Sequence, residues 1–320
     1  MNKISVVIPT FNRAHILESV VSSVVNQSLI PLEIIIVDDG STDSTKDVAK
    51  DLIAKNDKLN IRYVSQENQG GNVARNRGIE EAKSELIAFL DSDDTWDKEK
   101  LEKQYNEFKR NPTLGAVYCG LRHVDLANGK VLQEPKRSFP QGDLSRTLLI
   151  RDVTAPTSCY MVKKSVFEDV GYFDVNLKAR QDWEMWIRIA QKYPIGAVSE
   201  ILVNFGEHQG PRTASNPQKE IDAYSYIRVK YKNDLNRLPF VLRQKANSAF
   251  YRRMGKVANN YQGKKLKSMV WFIRACMAWP FAVQNWFGLF GLGVSKNIKE
   301  RLFAFWNRIL GKTTLSLTAH

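Results

Sequence analysis

Residues 33–41 read Glu-Ile-Ile-Ile-Val-Asp-Asp-Gly-Ser, and residues 86–94 read Leu-Ile-Ala-Phe-Leu-Asp-Ser-Asp-Asp. Each is an apolar run without polar alternation, as a strand buried on both faces requires. Each also ends in clustered carboxylates. Around them, Ser5–Ile8 and Ile61–Val64 are further short β-rich runs. Between the runs lie helical stripes: Ile16, Leu17, Val20, Val21, Val24 and Val25, then Val48, Leu52 and Ile53, then the stretch from Val73 to Lys83. Strand, helix, strand at this spacing predicts an α/β fold, a parallel sheet with helices on both faces.

In such sheets ligands bind at the carboxyl ends of the strands, and parallel strands place Asp38-Asp39 and Asp91-Ser92-Asp93-Asp94 on that one edge. Several carboxylates close together repel unless a cation or a donor-rich ligand compensates. An oxygen-only set suits Mg²⁺ or Mn²⁺ shared with a substrate's phosphates. The competing reading is that Asp39, Ser41 and Asp43 fill turns and cap helices. Two clusters on the same edge favour the ligand site. Between them, Gln69-Gly70-Gly71-Asn72-Val73-Ala74-Arg75-Asn76-Arg77-Gly78 opens a helix carrying two arginines, which suits a diphosphate. The string matches neither dinucleotide nor Walker patterns.

Beyond Asp94, Leu101–Lys109 reads as a helix and Gly115–Cys119 as a strand. Asn128-Gly129 marks a hairpin turn, Thr157–Val162 a strand and Lys164–Val170 a short helix. Asp182–Tyr193 is a helix with Trp183, Trp186, Ile187 and Ala190 on one side. Asp182 suits an N-cap, a position that can also face a cleft. The segment His208–Gln218 reads as a loop and divides a domain over 1–215 from a helical region over 216–320.

The chain has 320 residues, 43% of them apolar and 25% charged, an ordinary globular composition. Its net charge of +13 is unevenly placed. Residues 221–320 hold 18 Lys and Arg against Asp222, Asp234 and Glu300, so the first 220 residues are close to neutral. That distribution argues against nucleic acid as a partner of the whole chain. Met269–Val294 is apolar and rich in tryptophan, and Ile298, Leu302, Phe305, Trp306 and Ile309 form a stripe beside Lys296, Arg301, Arg308 and Lys312. Such faces suit an anionic membrane surface, with core packing as the alternative. Arg274 and the polar residues within 269–294 disfavour a true span. Three scattered cysteines and no export signal predict a cytoplasmic protein, peripheral at the cytoplasmic face of the membrane.

The ordered strings Val6–Arg13 (VVIPTFNR), Ile36–Ser44 (IVDDGSTDS), Asn68–Gly78 (NQGGNVARNRG), Phe89–Trp96 (FLDSDDTW), Tyr160–Asp174 (YMVKKSVFEDVGYFD) and Gln181–Arg188 (QDWEMWIR) resemble family 2 glycosyltransferases of the GT-A fold. The resemblance spans roughly residues 3–215. It implies an inverting transfer of a sugar from a nucleoside diphosphate sugar, a UDP-sugar first, to a glycan or lipid-linked acceptor in polysaccharide or glycolipid synthesis. It implies Pro9, Thr10, Phe11 and Arg13 at the nucleotide, Asp39 on the base with Asp38 beside it, and Arg75 near base and diphosphate. Asp91 and Ser92 would lie on the ribose side. Asp93 would hold Mg²⁺ or Mn²⁺ with Asp94 adjacent and His208 in reach, and Asp182 would be the general base. Family members usually carry an acid before that aspartate, where this chain has Gln181.

Asp91-Ser92-Asp93-Asp94-Thr95 also satisfies the DxDxT signature of haloacid-dehalogenase-type phosphatases, with Asp91 as nucleophile and Asp93 as acid/base. That reading leaves Asp38-Asp39 idle, and residues 195–320 lack the acid pair it needs. A catalytically inactive, carbohydrate-binding relative is the other alternative, resting on Gln181.

Overall fold

A computed structural model describes residues 4–126, 128–135, 138–207, 216–260 and 263–290. Two units are separable. The first comprises residues 1–145, 153–177 and 181–210, and the second 146–152, 178–180 and 211–320.

The first unit is built on one nine-stranded sheet. Strands β1 (Ile4–Thr10), β2 (Glu33–Asp38), β3 (Ile61–Ser65) and β4 (Leu86–Phe89) pair in parallel in the order β3-β2-β1-β4. Every residue of β1, β2 and β4 is buried, which is why their sequences carry no alternation. Helices α1 (Leu17–Val25), α2 (Thr45–Lys55) and α3 (Gly71–Glu81) connect them. The sheet edge carrying Asp38-Asp39 and Asp91–Asp94 is therefore the carboxyl edge of these strands, as the sequence predicts.

Past β4 the sheet becomes mixed. The next strands are β5 (Asp94–Trp96), β6 (Ala116–Asp125), β7 (Val131–Gln133), β8 (Tyr160–Lys163) and β9 (Ile195–Glu207). Strand β8 runs antiparallel to both β4 and β6, β5 runs antiparallel to β9, and β6 and β9 are parallel. The expected parallel pairing thus holds throughout β3-β2-β1-β4 and returns beyond it only between β6 and β9. The predicted hairpin is present, with β7 antiparallel to β6 around Gly129, whose φ is +69°. Helices α4 (Lys100–Arg110), α5 (Ser145–Ile150), α6 (Lys164–Val170) and α7 (Gln181–Ala190) complete the sequence of elements up to β9.

The second unit holds α8 (Pro217–Lys230), α9 (Lys232–Arg237), α10 (Phe240–Asn260), α11 (Lys265–Ala278) and α12 (Val283–Phe290). Asn216 caps α8, its side chain accepting from the Gln218 and Lys219 amides, and Pro217 takes the first helical position. Buried Asn285 donates to Ser248, to the Ala275 carbonyl and to the Trp279 carbonyl, tying α12 to α10 and α11. None of the described helices is long and apolar enough to cross a membrane. The stripe predicted over 298–309 lies outside the described residues.

One core feature has a measurable pH signature. Lys100 opens α4 fully buried, its Nζ 3.8 Å from the Trp96 ring centroid and without a hydrogen-bond partner among the described residues. Burial lowers its pKa from 10.5 to about 8. Below pH 8 folded and unfolded chains are both protonated and the full cost of burying the ammonium applies. Between 8 and 10.5 the folded state has released a proton that the unfolded state still holds, so stability rises with pH. Against Lys100→Met, wild-type unfolding free energy should gain up to about 3 kcal/mol from pH 7.5 to 10.5. Parallel denaturation curves for the two proteins across that range would place the lysine elsewhere.

Candidate active site

The carboxyl edge is assembled by loops that hydrogen-bond one another. After β1 the chain turns at Asn12, a non-glycine residue with φ of +54°. The Asn12 amide donates to Ser41 Oγ (2.8 Å), and Asn12 Oδ1 accepts from the Thr42 amide (2.8 Å). The Arg13 amide donates to Thr45 Oγ1 (3.0 Å), so the loop after β1 is fixed to the loop after β2. Pro9 and Thr10 end β1 buried, whereas the Phe11 ring stands 43% exposed at the rim.

Asp38 and Asp39 are both buried, and neither caps the helix that follows. Asp38 Oδ1 accepts from the Ser41 amide and hydroxyl (2.9 and 2.6 Å), and Oδ2 accepts from the Tyr63 hydroxyl (2.5 Å). Burial, and then that bond, push the Tyr63 phenol well above its ordinary value, so it stays a donor. Asp39 reaches across to the start of α3. Its Oδ1 accepts from Gln66 Nε2 (2.7 Å) and the Gln69 amide (3.0 Å), and its Oδ2 from the Gly70 amide (2.7 Å). A carboxylate offers about four lone-pair sites, so one remains on Asp39 for a ligand donor. Of the residues that the turn-and-cap reading named, Asp43 fits it, its Oδ1 accepting from the Thr45 amide (3.0 Å), whereas Asp39 joins two of the site's loops.

Helix α3 brings Arg75 to the second cluster. Arg75 Nη2 donates to Asp91 Oδ1 at 2.5 Å, and its guanidinium lies 5.8 Å from the Phe173 ring centroid. The Asp91 amide donates to Ser158 Oγ (3.0 Å), and the buried Trp96 Nε1 donates to the Ser158 carbonyl (2.9 Å). Ser92 is buried. Asp93 is 28% exposed at its side chain, with Arg13 Nη2 3.9 Å from its Oδ2. That distance is an ion pair outside hydrogen-bond range.

Asp94 behaves differently from its neighbours. It is buried, and its Oδ1 accepts from the Gly206 amide of β9 (3.0 Å). Burial first, and then the charges of Asp93 and Asp91, hold its carboxyl well above the usual carboxylate range. A group so placed secures β5 to β9. No cluster of three ligating side chains occurs among the described residues; Mg²⁺ at one or two carboxylates ordinarily shares its shell with a substrate's phosphates. Asp93, a hard oxygen donor at the solvent edge, fits that arrangement. His208 lies outside the described residues.

Four buried polar atoms at this edge have no hydrogen-bond partner among the described residues: Thr10 Oγ1, Arg13 Nε, Arg75 Nε and Asp94 Oδ2. Such atoms are uncommon in native interiors, and a ligand is one of their ordinary explanations. Three of the four belong to residues predicted to meet the nucleotide. A surface cavity of about 600 Å³ lies instead at the amino end of β4, lined by Lys83–Leu86, α4 residues and Lys163–Ser165, and contains none of them.

Asp182 is the second residue of α7, inside the first turn, and is not its N-cap. It is partly exposed and accepts from the Trp183 amide (2.8 Å). The helix presenting it is held by stacking, hydrogen bonds and an ion pair. Trp186 stacks on Tyr160 at 3.6 Å and 11°, and its Nε1 donates to the Ala155 carbonyl (3.2 Å). Buried Glu184 accepts from Arg188 Nε (3.0 Å) and Nη2 (2.9 Å), and Arg188 also donates to the Val170 and Tyr172 carbonyls.

Several supporting residues escaped the sequence reading. Asn72 and Asn76, four apart on α3, fasten the 173–177 segment: Asn72 Nδ2 donates to the Asp174 and Leu177 carbonyls, and Asn76 exchanges bonds with Phe173. Polar residues at i and i+4 on an inward face were a usable signal. Ser158 and Gly206 left none, because their roles arise from pairing with distant chain.

A family model described as Glycosyl transferase family 2 matches residues 5–171. The putative teichuronic acid biosynthesis glycosyltransferase TuaG of Bacillus subtilis (strain 168) is 33% identical over 193 residues, 59% of this chain and 72% of that protein. An uncharacterized glycosyltransferase of Rickettsia felis is 32% identical over 218 residues, 68% of this chain, and the chain spans only 35% of that relative's length. Among solved structures, S. aureus TarS 1-349 superposes with a TM-score of 0.60 at 20% identity, covering 87% of this chain and 81% of that one. The same TarS segment has been solved with UDP-GlcNAc, with a TM-score of 0.59 at 18% identity over 86% of this chain and 91% of that one. The mannosyltransferase PcManGT of Pyrobaculum calidifontis, solved with GDP-Man and Mn²⁺, superposes with a TM-score of 0.52 at 17% identity, over 96% and 80% of the two chains.

Proposed function

The chain belongs to glycosyl transferase family 2 and has the GT-A fold of its structural neighbours, and on that premise we propose that it is an inverting, metal-assisted transferase using a nucleoside diphosphate sugar. The observation that carries the reading is the carboxyl edge itself. There two arginines whose Nε atoms have no partner among the described residues stand beside Asp91 and Asp93 at the ends of parallel strands.

In this reading Phe11 and Pro9 border the base, Thr10 Oγ1 and the remaining acceptor site of Asp39 meet its polar edge, and Asp91 with Ser92 flanks the ribose. Arg75 and Arg13 neutralise the diphosphate. Asp93 would hold Mg²⁺ or Mn²⁺ there, and the bound ion would stabilise the charge that grows on the leaving diphosphate. Asp38 shapes the loop and Asp94 anchors β5. At the other face Asp182 takes the proton of the acceptor hydroxyl. The acceptor oxygen bonds to the sugar's C1 as the C1–O bond to phosphate breaks, and the electron pair leaves with the diphosphate. Attack opposite that bond inverts the anomeric centre.

A UDP-sugar is the first donor to test, because the TarS neighbour was solved with UDP-GlcNAc. The TuaG likeness favours a glycan or lipid-linked acceptor in cell-surface polysaccharide synthesis. The excess of Lys and Arg over residues 221–320 supports work at the cytoplasmic membrane face. The phosphatase alternative would leave Asp39 and both arginines without a role.

A panel of UDP-, GDP- and TDP-sugars, assayed for hydrolysis with Mn²⁺ or Mg²⁺ and then with EDTA, tests the proposal. At least one donor should be hydrolysed, and EDTA should suppress that turnover at least about tenfold. Release of phosphate from simple phosphate esters, with no donor turned over, would replace this reading with the phosphatase one. Donor binding without any turnover would point to the inactive relative.

A further inference from the structure

We propose that α11 is an interfacial docking helix whose outward face inserts into a bilayer surface bearing anionic headgroups. This deepens only the membrane part of the reading above and does not depend on the transfer chemistry.

The inward face of α11 is fully used. Phe272, Ala275 and Cys276 are buried, and Ser268 donates to the Gly255 carbonyl (2.8 Å). The Phe272 ring packs so closely on α10 and α12 that a Cβ at Gly255 or Gly288 would come within 2.9 and 1.9 Å of it. A helix packed in this way ordinarily turns a polar face outward. This one does not. Leu266, Met269, Val270, Ile273 and Met277 follow at i, i+3, i+4, i+7 and i+11, which confines them to one arc about 100° wide. All are exposed, Leu266 at 78% and Met277 at 79%, and Phe281 just beyond the helix adds a ring 77% exposed.

Charge selects the occupant. From residue 235 to residue 299 the chain contains no Asp or Glu. Lys264, Lys265 and Lys267 stand at the start of α11, and Arg274 lies beside the stripe, its guanidinium 5.0 Å from the Trp271 ring centroid. A second copy would bring an equally cationic surface against the first, which electrostatics opposes. An anionic headgroup layer instead pairs with the lysines while the apolar arc enters the acyl boundary, with the long basic side chains reaching back to the headgroups. At 14 residues α11 is about 21 Å long, too short to cross the roughly 30 Å hydrocarbon core, so it lies in the plane of the surface.

The test is flotation of the full chain with vesicles of phosphatidylcholine alone or containing 30% phosphatidylglycerol (about physiological salt). The bound fraction should require the anionic lipid. Met277→Lys, at a site exposed enough to leave folding unchanged, should lower binding at least about tenfold; Leu266→Ser with Phe281→Ser should do the same. Lys264→Gln with Lys265→Gln and Lys267→Gln should remove the preference for anionic over neutral vesicles. Equal binding to both vesicle types, or binding unchanged by Met277→Lys, overturns the proposal. So does a concentration-dependent dimer in sedimentation that Met277→Lys dissolves, because the stripe would then be a protein interface. Donor hydrolysis, measured without vesicles, should be the same in every variant, so failure here is separable from failure of the transferase reading.

Discussion

Asp182→Asn should lower kcat for transfer by at least about a hundredfold while leaving the Kd for the donor nucleotide within about twofold of wild type. Asparagine matches aspartate in size and still accepts a hydrogen bond from the Trp183 amide through its carbonyl oxygen, so the first turn of α7 is preserved. What it cannot do is take a proton. The helix behind it is fixed by Trp186 on Tyr160 and by the Glu184–Arg188 pair, so a large change in donor affinity would signal that the helix had moved. Single-turnover kinetics with labelled donor, beside calorimetric binding of the nucleoside diphosphate, separates the two. Unchanged turnover would remove Asp182 from the mechanism, and Gln181 before it would no longer need explaining.

Gly206→Ala should be the most damaging small substitution near the site. A Cβ at Gly206 would stand 2.0 Å from the Asp93 carbonyl oxygen, and that backbone cannot yield freely. Asp94 Oδ1 already accepts from the Gly206 amide, and the Asp94 amide donates to the Asp91 carbonyl. Relief requires displacing the segment that carries Asp93. We expect a loss of about 1–3 kcal/mol in unfolding free energy, with transfer falling at least about tenfold among the molecules that remain folded. Gly196→Ala on the same strand is the control. Its Cβ meets first the end of the Leu114 side chain, at 2.7 Å, which can rotate away. Activity surviving Gly206→Ala would mean that the spacing of β9 and the Asp93 segment is not needed for turnover.

How far these features could be read from sequence depended on where their causes lie. Strands β2 and β4 were legible because burial on both faces writes an unbroken apolar run, and the carboxylates that follow mark the edge. Direction is not written in such a run, so β8 looked like any other strand and proved antiparallel to β4. Strand β9 was missed because its register against β6 shifts around Gly120, and exposed Ser199 and Glu200 interrupt its apolar residues. Strand β5 is three residues made a strand only by its partner. Residues 157–159, expected as strand, form a turn of 3₁₀ helix before β8.

At the site, residue types were readable and their partners were not. The sequence places Asp38 and Asp39 side by side. Only the fold shows that Asp38 is spent on Ser41 and Tyr63, whereas Asp39 spans to Gly70. Asp94 sits in the same motif as Asp93 and turns inward because β9 supplies an amide for it. Lys100 stands in a charged stretch that carries no mark of its burial, and Trp96 covers it.

The Asp182→Asn enzyme, arrested with its donor intact, also gives the most direct test of the central claim. Its crystals would be soaked with Mn²⁺ and the nucleotide sugar that binds best, and diffraction collected for the manganese anomalous signal. One Mn²⁺ peak is expected on the Asp93 carboxylate, with the diphosphate between that ion and Arg75 and the base between Phe11 and Asp39. A nucleotide bound in the cavity at Lys83–Leu86, or a Mn²⁺ peak remote from Asp93, would contradict it.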